Sequence, residues 1–268
     1  MNCIFCKSNK VKNTFVSLSE SIVYNICDNC GCHYQNPIQK VDYDDSYWIS
    51  AIDPDGNKRE FINERDDKIK NWYGNSIKFV NSFNNISVLD LGCGLGFFLS
   101  ALNSNIKKYG IEYSSFAIKY IKSNFPEILT FNSQNIEDTK KFDTKFDIIM
   151  CYHVIEHLQE PQKLINTIKN NLKKDGYLII GTPLIDTFIS NFFGKNYRLY
   201  SKSHINLFNL KSLNMLLGDD FKIIKIERPF FKTKYNTLSN FMKLFNNKRL
   251  SPPFYGSVIT LYAQKIDN

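Results

Sequence analysis

The sequence contains no run of about 18 consecutive apolar residues, which excludes a helix able to cross a bilayer. Its opening stretch, MNCIFCKSNK, lacks the apolar centre of a secretory signal, so a cytoplasmic location is expected. Histidine is scarce. Only His33, His153, His157 and His204 occur in 268 residues, so every side chain whose ordinary pKa suits proton transfer near neutral pH can be named. Acids are outnumbered, 26 against 34 lysines and arginines, for a net charge of +8. Such an excess suits a phosphate-rich partner. Lysine, asparagine and isoleucine are nevertheless abundant along the whole chain, so the charge reads as compositional bias over a solvated surface. A nucleic-acid partner therefore ranks below a small molecule. The length and the 43% hydrophobic content fit one large α/β domain with a small appendage.

Seven cysteines in a cytoplasmic chain read as metal ligands or buried thiols, not as a disulfide framework. Four of them form Cys3-x2-Cys6 and Cys27-x2-Cys30. Two such pairs, separated by a hairpin's length of chain, can place four thiolates tetrahedrally around one Zn²⁺, and a fully coordinated zinc is structural. The intervening runs FVSL and IVYNI supply the strands of a ribbon. Cys32 and His33 are surplus and are expected to stay outside the ligand set. The expected zinc module covers residues 1–36.

Residues 37–85 form a polar and aromatic connection. Ile62, Ile69, Trp72, Ile77, Val80 and Phe83 recur at roughly helical spacing and predict a helical segment packed on the following domain. Tyr43, Tyr47 and Trp48 precede it. Such aromatics suit either a lid over a ligand or a joint between the zinc module and the main domain.

From residue 86 to 268 strand-like and helix-like segments alternate: SVLDLGC, FFLSALNSN, KKYGIEYS, SFAIKYIKSNF, EILTFNSQ, KFDIIMCYHV, PQKLINTIKNNLKKDG and YLIIGTP, with YGSVITLYAQK as the last strand. This predicts a doubly wound, mostly parallel, seven-stranded sheet with helices on both faces. Ligands of such sheets sit beyond the carboxyl ends of the strands. Those ends carry Asp90 with Gly92, Gly94 and Gly96; Glu112; Gln134, Asn135, Ile136, Glu137 and Asp138; Cys151, Tyr152 and His153; and Thr182.

A glycine turn followed about twenty residues later by a carboxylate fits a ligand with a ribose. A dinucleotide site wants a third glycine where this chain has Phe97, and pyrophosphate would be poorly served by Asp90. A cofactor with a sulfonium, an ammonium and no phosphate tolerates that acid, because opposite charges attract in a partly desolvated cleft. S-adenosylmethionine has that chemistry.

The successive segments VLDLGCGLGFFL, GIEYS, QNIED, FDIIMCYHVIEHLQEP and LKKDGYLIIGTP resemble the motifs of the class I S-adenosylmethionine-dependent methyltransferases. The resemblance runs over about residues 86 to 228. It implies that Gly92, Gly94 and Gly96 contact the methionine part, Glu112 the ribose, and Asn135 with Ile136 the adenine, with Asp90 and Cys151 beside them. An aspartate commonly fills the Asn135 position. With its cysteine-rich module in front, the chain is similar to bacterial sugar methyltransferases. Their C-methylating members carry a further domain that this chain is expected to lack, which favours transfer to oxygen and, second, to nitrogen. The implied acceptor is a sugar nucleotide or a surface-glycan precursor. A ribosomal-RNA methyltransferase with a zinc finger is the main rival, and a non-catalytic cofactor-binding or zinc-mediated interaction module is the other.

A hydroxyl is a poor nucleophile until it loses its proton, so a base is expected. His153, at a carboxyl strand end, is the first candidate and His204 the second. His157 lies one helical turn after His153 and suits orienting the helix; Glu156 is expected to face solvent or the cleft edge. Two insertions, 184–202 with Phe188, Phe192, Phe193, Tyr197, Arg198 and Tyr200, and 229–254 with Phe230, Phe231, Lys232, Lys234, Tyr235, Phe241, Lys243, Lys248 and Arg249, interleave aromatics with cations. Such sets can hold a sugar and a diphosphate, or a base and an RNA backbone; TLSNFMKLF equally suits a helix packed on the domain.

Overall fold

The computed structural model describes the chain apart from Met1, Ile4, Glu20, Lys40 and residues 42–45, 53–57, 137–138, 229–236, 253–257 and 267–268. Tyr43, Glu137, Asp138 and the five residues Phe230, Phe231, Lys232, Lys234 and Tyr235 therefore lie outside the described residues. In chain order the strands are β1 Val11–Val16, β2 Val23–Cys27, β3 His33–Gln35, β4 Ala51–Ile52, β5 Lys58–Arg59, β6 Ser87–Leu91, β7 Lys107–Glu112, β8 Leu129–Asn132, β9 Phe146–Tyr152, β10 Leu172–Pro183, β11 Asn206–Leu207, β12 Phe221–Glu227 and β13 Val258–Lys265.

The main sheet has seven strands in the order β12-β13-β10-β9-β6-β7-β8. β6 runs parallel to β7 and β9, β7 to β8, and β9 to β10, while β13 is antiparallel to both β10 and β12. The expected mostly parallel, doubly wound sheet is thus the fold. β6 lies towards its centre, and all five residues of SVLDL are buried, as a strand covered by helices on both faces requires. One core cluster gathers Leu89, Leu91, Ile149, Leu164, Ile168 and Ile180 on one face, and another gathers Val88, Phe98, Leu99, Ile121, Ile148 and Ile179 on the other. The alternation of side chains along each strand divides them. The connection leaving β6 turns towards β7, and the connection from β8 returns to β9 on the far side of β6. This reversal opens a crevice at the carboxyl ends of β6 and β9.

Two segments differ from the sequence pattern. PQKLINTIKNNLKKDG is not one helix: the helix is Pro161–Asn171, and LKKDG already belongs to β10, with Asp175 at a φ of 56°. The apolar stripe Leu164, Ile165 and Ile168 ends with the buried Leu172, and the exposed Lys173, Lys174 and Asp175 beyond it give a further helical turn no face to bury. The stretch 62–83 is broken into short turns and ends in a helix over Gly74–Val80.

The amino-terminal ribbon is continuous with the main domain. β1, β2 and β3 form an antiparallel sheet whose fourth strand is β11, with Asn206 opposite Tyr34 and Leu207 opposite His33. The Gln35 amide nitrogen lies 2.9, 3.0 and 3.1 Å from the carbonyls of Ser201, Lys202 and His204, and Tyr24 Oη lies 2.8 Å from the His204 carbonyl. The Asn209 amide donates to the Cys30 carbonyl at 3.1 Å. The His33 ring stacks on Tyr200 at 5.9 Å with its Nδ1 2.8 Å from Tyr200 Oη. Burial pulls the His33 imidazole down from 6.5 to about 4.

A Cβ at Gly181 would overlap the Tyr152 ring, so Gly181→Ala should lower unfolding stability in urea by about 1–3 kcal/mol, the usual result of overpacking. His33 favours its neutral form when folded, so its contribution is complete above its unfolded pKa and is lost as pH falls from about 6.5 towards about 4. Urea titrations across that range should show this acid limb, and His33→Asn should flatten it by about 1–3 kcal/mol.

Candidate active site

The turn after β6 is built by its three glycines. Gly92, Gly94 and Gly96 have φ of 75°, 53° and 74°, the left-handed region where a side chain is strained. Space is also closed to a side chain there: a Cβ at Gly92 would lie 2.5 Å from Val154 Cγ2, and one at Gly96 would lie 2.9 Å from Ile121 Cγ1. Contact with Val154 brings the glycine turn against the residue that follows His153. Gly96 then caps the short helix Phe97–Ser100.

Glu112, at the end of β7, clamps this turn. Its Oε2 accepts from the Gly94 N–H at 2.8 Å and its Oε1 from the Ser114 N–H at 2.9 Å. Each carboxylate oxygen retains accepting capacity for a hydroxyl. Burial raises the Glu112 carboxyl above its ordinary range, while these backbone donors pull the other way. Asp90 is 3% exposed and its Oδ1 has no hydrogen-bond partner among the described residues. Burial first and the Glu112 charge second push its carboxyl well up. A cationic ligand group would satisfy that oxygen and stabilise its charged form, so the donor set fits S-adenosylmethionine. Ile136 also borders the turn, with its Cδ1 3.4 Å from a Cβ at Gly92. Asn135 is exposed, and its N–H donates to Ser133 Oγ at 3.1 Å. Cys151 is fully buried within the core, on the strand between β6 and β10.

Sequence reasoning left open which role Trp48 plays, and the structure puts it over the turn. Its Nε1 donates to Ser114 Oγ at 2.9 Å, and its ring lies 3.3 Å from a Cβ at Gly94. Tyr47 stacks on Phe61 at 4.8 Å. Trp48 and Phe61 join Leu95, Phe97 and Ala117 in one apolar cluster, so this part of the connection covers the glycine turn.

His153 follows β9 with a φ of 54°, a strained position for a residue with a Cβ. Its N–H donates to the Gly181 carbonyl at 2.8 Å, and its ring meets Trp72 edge to face at 5.2 Å. The imidazole Nδ1 is 2.9 Å from Glu156 Oε1, while Nε2 is buried with no hydrogen-bond partner among the described residues. Glu156 is 0% exposed, contrary to the expectation of a solvent-facing acid. Its neighbours explain this: Oε1 meets His153 and Oε2 accepts from Thr182 Oγ1 at 3.1 Å. Burial alone would raise its carboxyl, but the His153 hydrogen bond and the attraction of the His153, His157 and His204 rings in their protonated forms overcome it and hold the group at about 2.

His153 and His157 do not share a helix face, because only a short 3₁₀ turn, Ile155–His157, follows β9. The turn instead aims His157 at His204, with ring centroids 5.1 Å apart. His157 Nδ1 is 2.6 Å from the Ser203 carbonyl and His204 Nδ1 is 2.7 Å from the Leu199 carbonyl. Burial, then the His157 charge, draws His204 down to about 4.

In the ribbon, the Sγ atoms of Cys3, Cys6, Cys27 and Cys30 all lie within 4.8 Å of one another, with Cys3 to Cys30 at 3.8 Å and Cys6 to Cys27 at 3.4 Å. A zinc tetrahedron with Zn–S of about 2.3 Å has edges of about 3.8 Å, so the cluster fits that ion. Cys32 is not one of these four, although its thiol meets that of Cys30 and lies 3.6 Å from the His33 carbonyl. Of the insertions, Phe193, Tyr197 and Tyr200 are buried in a cluster with the ribbon residues Ile22 and Tyr24, whereas Phe188, Phe192 and Phe241 are exposed.

Residues 82–223 match the family described as a methyltransferase domain. Among curated proteins, the chain is 36% identical over 107 residues to the ubiquinone biosynthesis O-methyltransferase of Glaesserella parasuis, a match covering 35% of this chain and 44% of that one. It is 28% identical over 192 residues to the tRNA U34 carboxymethyltransferase of Campylobacter fetus, covering 67% and 62%. The chain therefore spans less than two thirds of the length of these curated relatives. Among solved structures, the YcgJ protein of Bacillus subtilis has a similar fold, with a TM-score of 0.56 and 16% identity over 73% of this chain and 98% of that one. With a family match over more than half of its residues, on the sheet that carries the glycine turn and Glu112, the chain belongs to the class I S-adenosylmethionine-dependent methyltransferases.

Proposed function

We propose that the chain transfers the methyl group of S-adenosylmethionine to a hydroxyl of a sugar nucleotide or related surface-glycan precursor, with His153 as general base. The observation that carries this reading is the His153 and Glu156 pair. A buried carboxylate accepts the Nδ1 proton of the imidazole, which fixes the tautomer with a lone pair on Nε2, and that atom is the one left without a partner among the described residues. Such a group suits an acceptor that must lose a proton, as a hydroxyl must.

The bound cofactor supplies a methyl carbon on a positively charged sulfur. Asp90 balances the cationic part, Gly92, Gly94 and Gly96 let it approach the backbone, and Glu112 accepts from the ribose hydroxyls. Asn135 and Ile136 border the adenine, Cys151 packs behind the strand end, and Trp48 closes the turn. His153 Nε2 takes the acceptor proton as the oxygen bonds to the methyl carbon. S-adenosylmethionine, when bound, would supply the methyl group with its sulfur as leaving group, and the protonated His153 would be held by Glu156. His204 and His157 stand behind Glu156 and serve its charge. The four ribbon cysteines hold a structural Zn²⁺ that keeps β1, β2 and β3 rigid where they support the 201–207 segment. The sugar acceptor is supported by likeness to sugar methyltransferases with such a module, and oxygen as the accepting atom by the name of the Glaesserella parasuis relative.

An RNA acceptor is the second reading. The net charge of +8 and the likeness to a tRNA-modifying relative favour it.

Labelled S-adenosylmethionine offered with nucleotide sugars, phosphosugars and RNA should label the sugars, with mass analysis placing the methyl on oxygen. Label confined to RNA would select the second reading, and no transfer to any acceptor would leave a binding module. Replacing His153 by Gln should lower kcat by about 10²–10⁴ with cofactor affinity unchanged in calorimetry; a fully active variant removes it as base. Glu112→Ala should weaken cofactor binding by about tenfold or more, the loss of charge-assisted hydrogen bonds to a ligand. Unchanged affinity would reject the ribose assignment.

A further inference from the structure

We propose that Glu156, His157 and His204 bind one divalent transition-metal ion at a site distinct from the cysteine cluster. One donor atom from each of the three residues lies within 4.8 Å of the others. The two imidazoles come from separate parts of the chain, the turn after β9 and the segment before β11, so local chain geometry alone does not bring them together. Each has the support that orients a metal-binding histidine. With Nδ1 at 2.6 Å from the Ser203 carbonyl in His157, and at 2.7 Å from the Leu199 carbonyl in His204, that nitrogen must carry the proton. The lone pair is therefore on Nε2 in both rings, the form a metal takes. Glu156 supplies a buried anionic oxygen. Its hydrogen bonds from His153 and Thr182 occupy two of about four lone-pair positions, leaving capacity for a cation.

Two imidazoles and one carboxylate suit Zn²⁺, Co²⁺, Fe²⁺ or Mn²⁺ better than Mg²⁺ or Ca²⁺, which take oxygen donors. Three protein ligands leave at least one position for water or for an oxygen of the acceptor. The site shares Glu156 with His153, so an ion there would adjoin the base and would lower the pKa of a coordinated hydroxyl. That chemical role rests on the methyl-transfer reading; the binding of the ion does not.

The ribbon also bears on this site. Gln35 and Tyr24 contact the carbonyls of Ser201, Lys202 and His204, so the segment that presents His204 is held by strands that end beside the cysteine cluster. Two metal sites would then support one another through β2 and β3.

The test counts metal on the full chain. After equilibrium dialysis against Co²⁺, total bound metal measured by atomic emission should be two per chain. One equivalent should show the thiolate charge-transfer absorption of a cysteine site, and the other only the weak ligand-field bands of nitrogen and oxygen donors. His204→Asn places an amide nitrogen where Nδ1 now meets the Leu199 carbonyl while removing Nε2; His157→Asn does the same at Ser203. Each variant should bind one metal per chain, lose the ligand-field bands alone and keep its affinity for S-adenosylhomocysteine in calorimetry. One metal per chain in the native protein, with only the thiolate signature, would overturn the proposal, as would variants that retain both equivalents. Two metals bound by a chain that methylates no acceptor would leave the site standing and reject the methyl-transfer reading instead.

Discussion

The acceptor side of the crevice depends on one buried carboxylate. Glu156 is 0% exposed, and an isolated anion there would be too costly to keep charged. It is kept charged by the two groups that donate to it, the His153 ring on Oε1 and the Thr182 hydroxyl on Oε2, with His157 and His204 nearby. These partners come from the end of β9, from β10 and from the segment before β11. The carboxylate therefore fixes the relative positions of three chain segments as well as the tautomer of one histidine. Glu112 has the equivalent role on the cofactor side, where its two oxygens hold the Gly94 and Ser114 N–H groups and so fix the glycine turn. Val154 and Gly92 touch between the two, which leaves little room for one half to move without the other.

The ribbon belongs to this arrangement more closely than a separate appendage would. β11 completes its sheet, and the carbonyls of Ser201, Lys202 and His204 lie against Gln35 and Tyr24. Loss of ribbon order is thereby coupled to the placement of His204, although the cysteines lie on a different element. The same coupling makes His33 a point of acid weakness, since its neutral ring is packed on Tyr200.

Much of the fold was legible because its signals are local. The two Cys-x2-Cys pairs, the glycine turn, Glu112 at the next strand end and the buried run SVLDL each state their environment within a few residues. What the sequence hid arises from partners distant along the chain. Glu156 reads as a surface acid in IEHL because Thr182, 26 residues later, cannot be seen beside it. The i to i+4 spacing of His153 and His157 suggested a common helix face, but the left-handed φ at His153 and the short 3₁₀ turn separate them. Trp48 sits in a stretch without periodicity, so nothing near it in sequence announces contact with Gly94 and Ser114. LKKDG continued a helical count, yet the apolar stripe ends at Leu172, the next three residues are exposed, and strand pairing takes over.

Catalysis as proposed requires that Glu156 hold His153 ready to accept a proton while the cofactor is bound elsewhere in the crevice. The most direct measurement is methyl transfer from labelled S-adenosylmethionine, at saturating cofactor, by the native chain and by Glu156→Gln. The expected result is unchanged cofactor affinity and a kcat lower by about 10² or more, the usual size of a lost acid–base contribution. A variant that turns over at the native rate would contradict it.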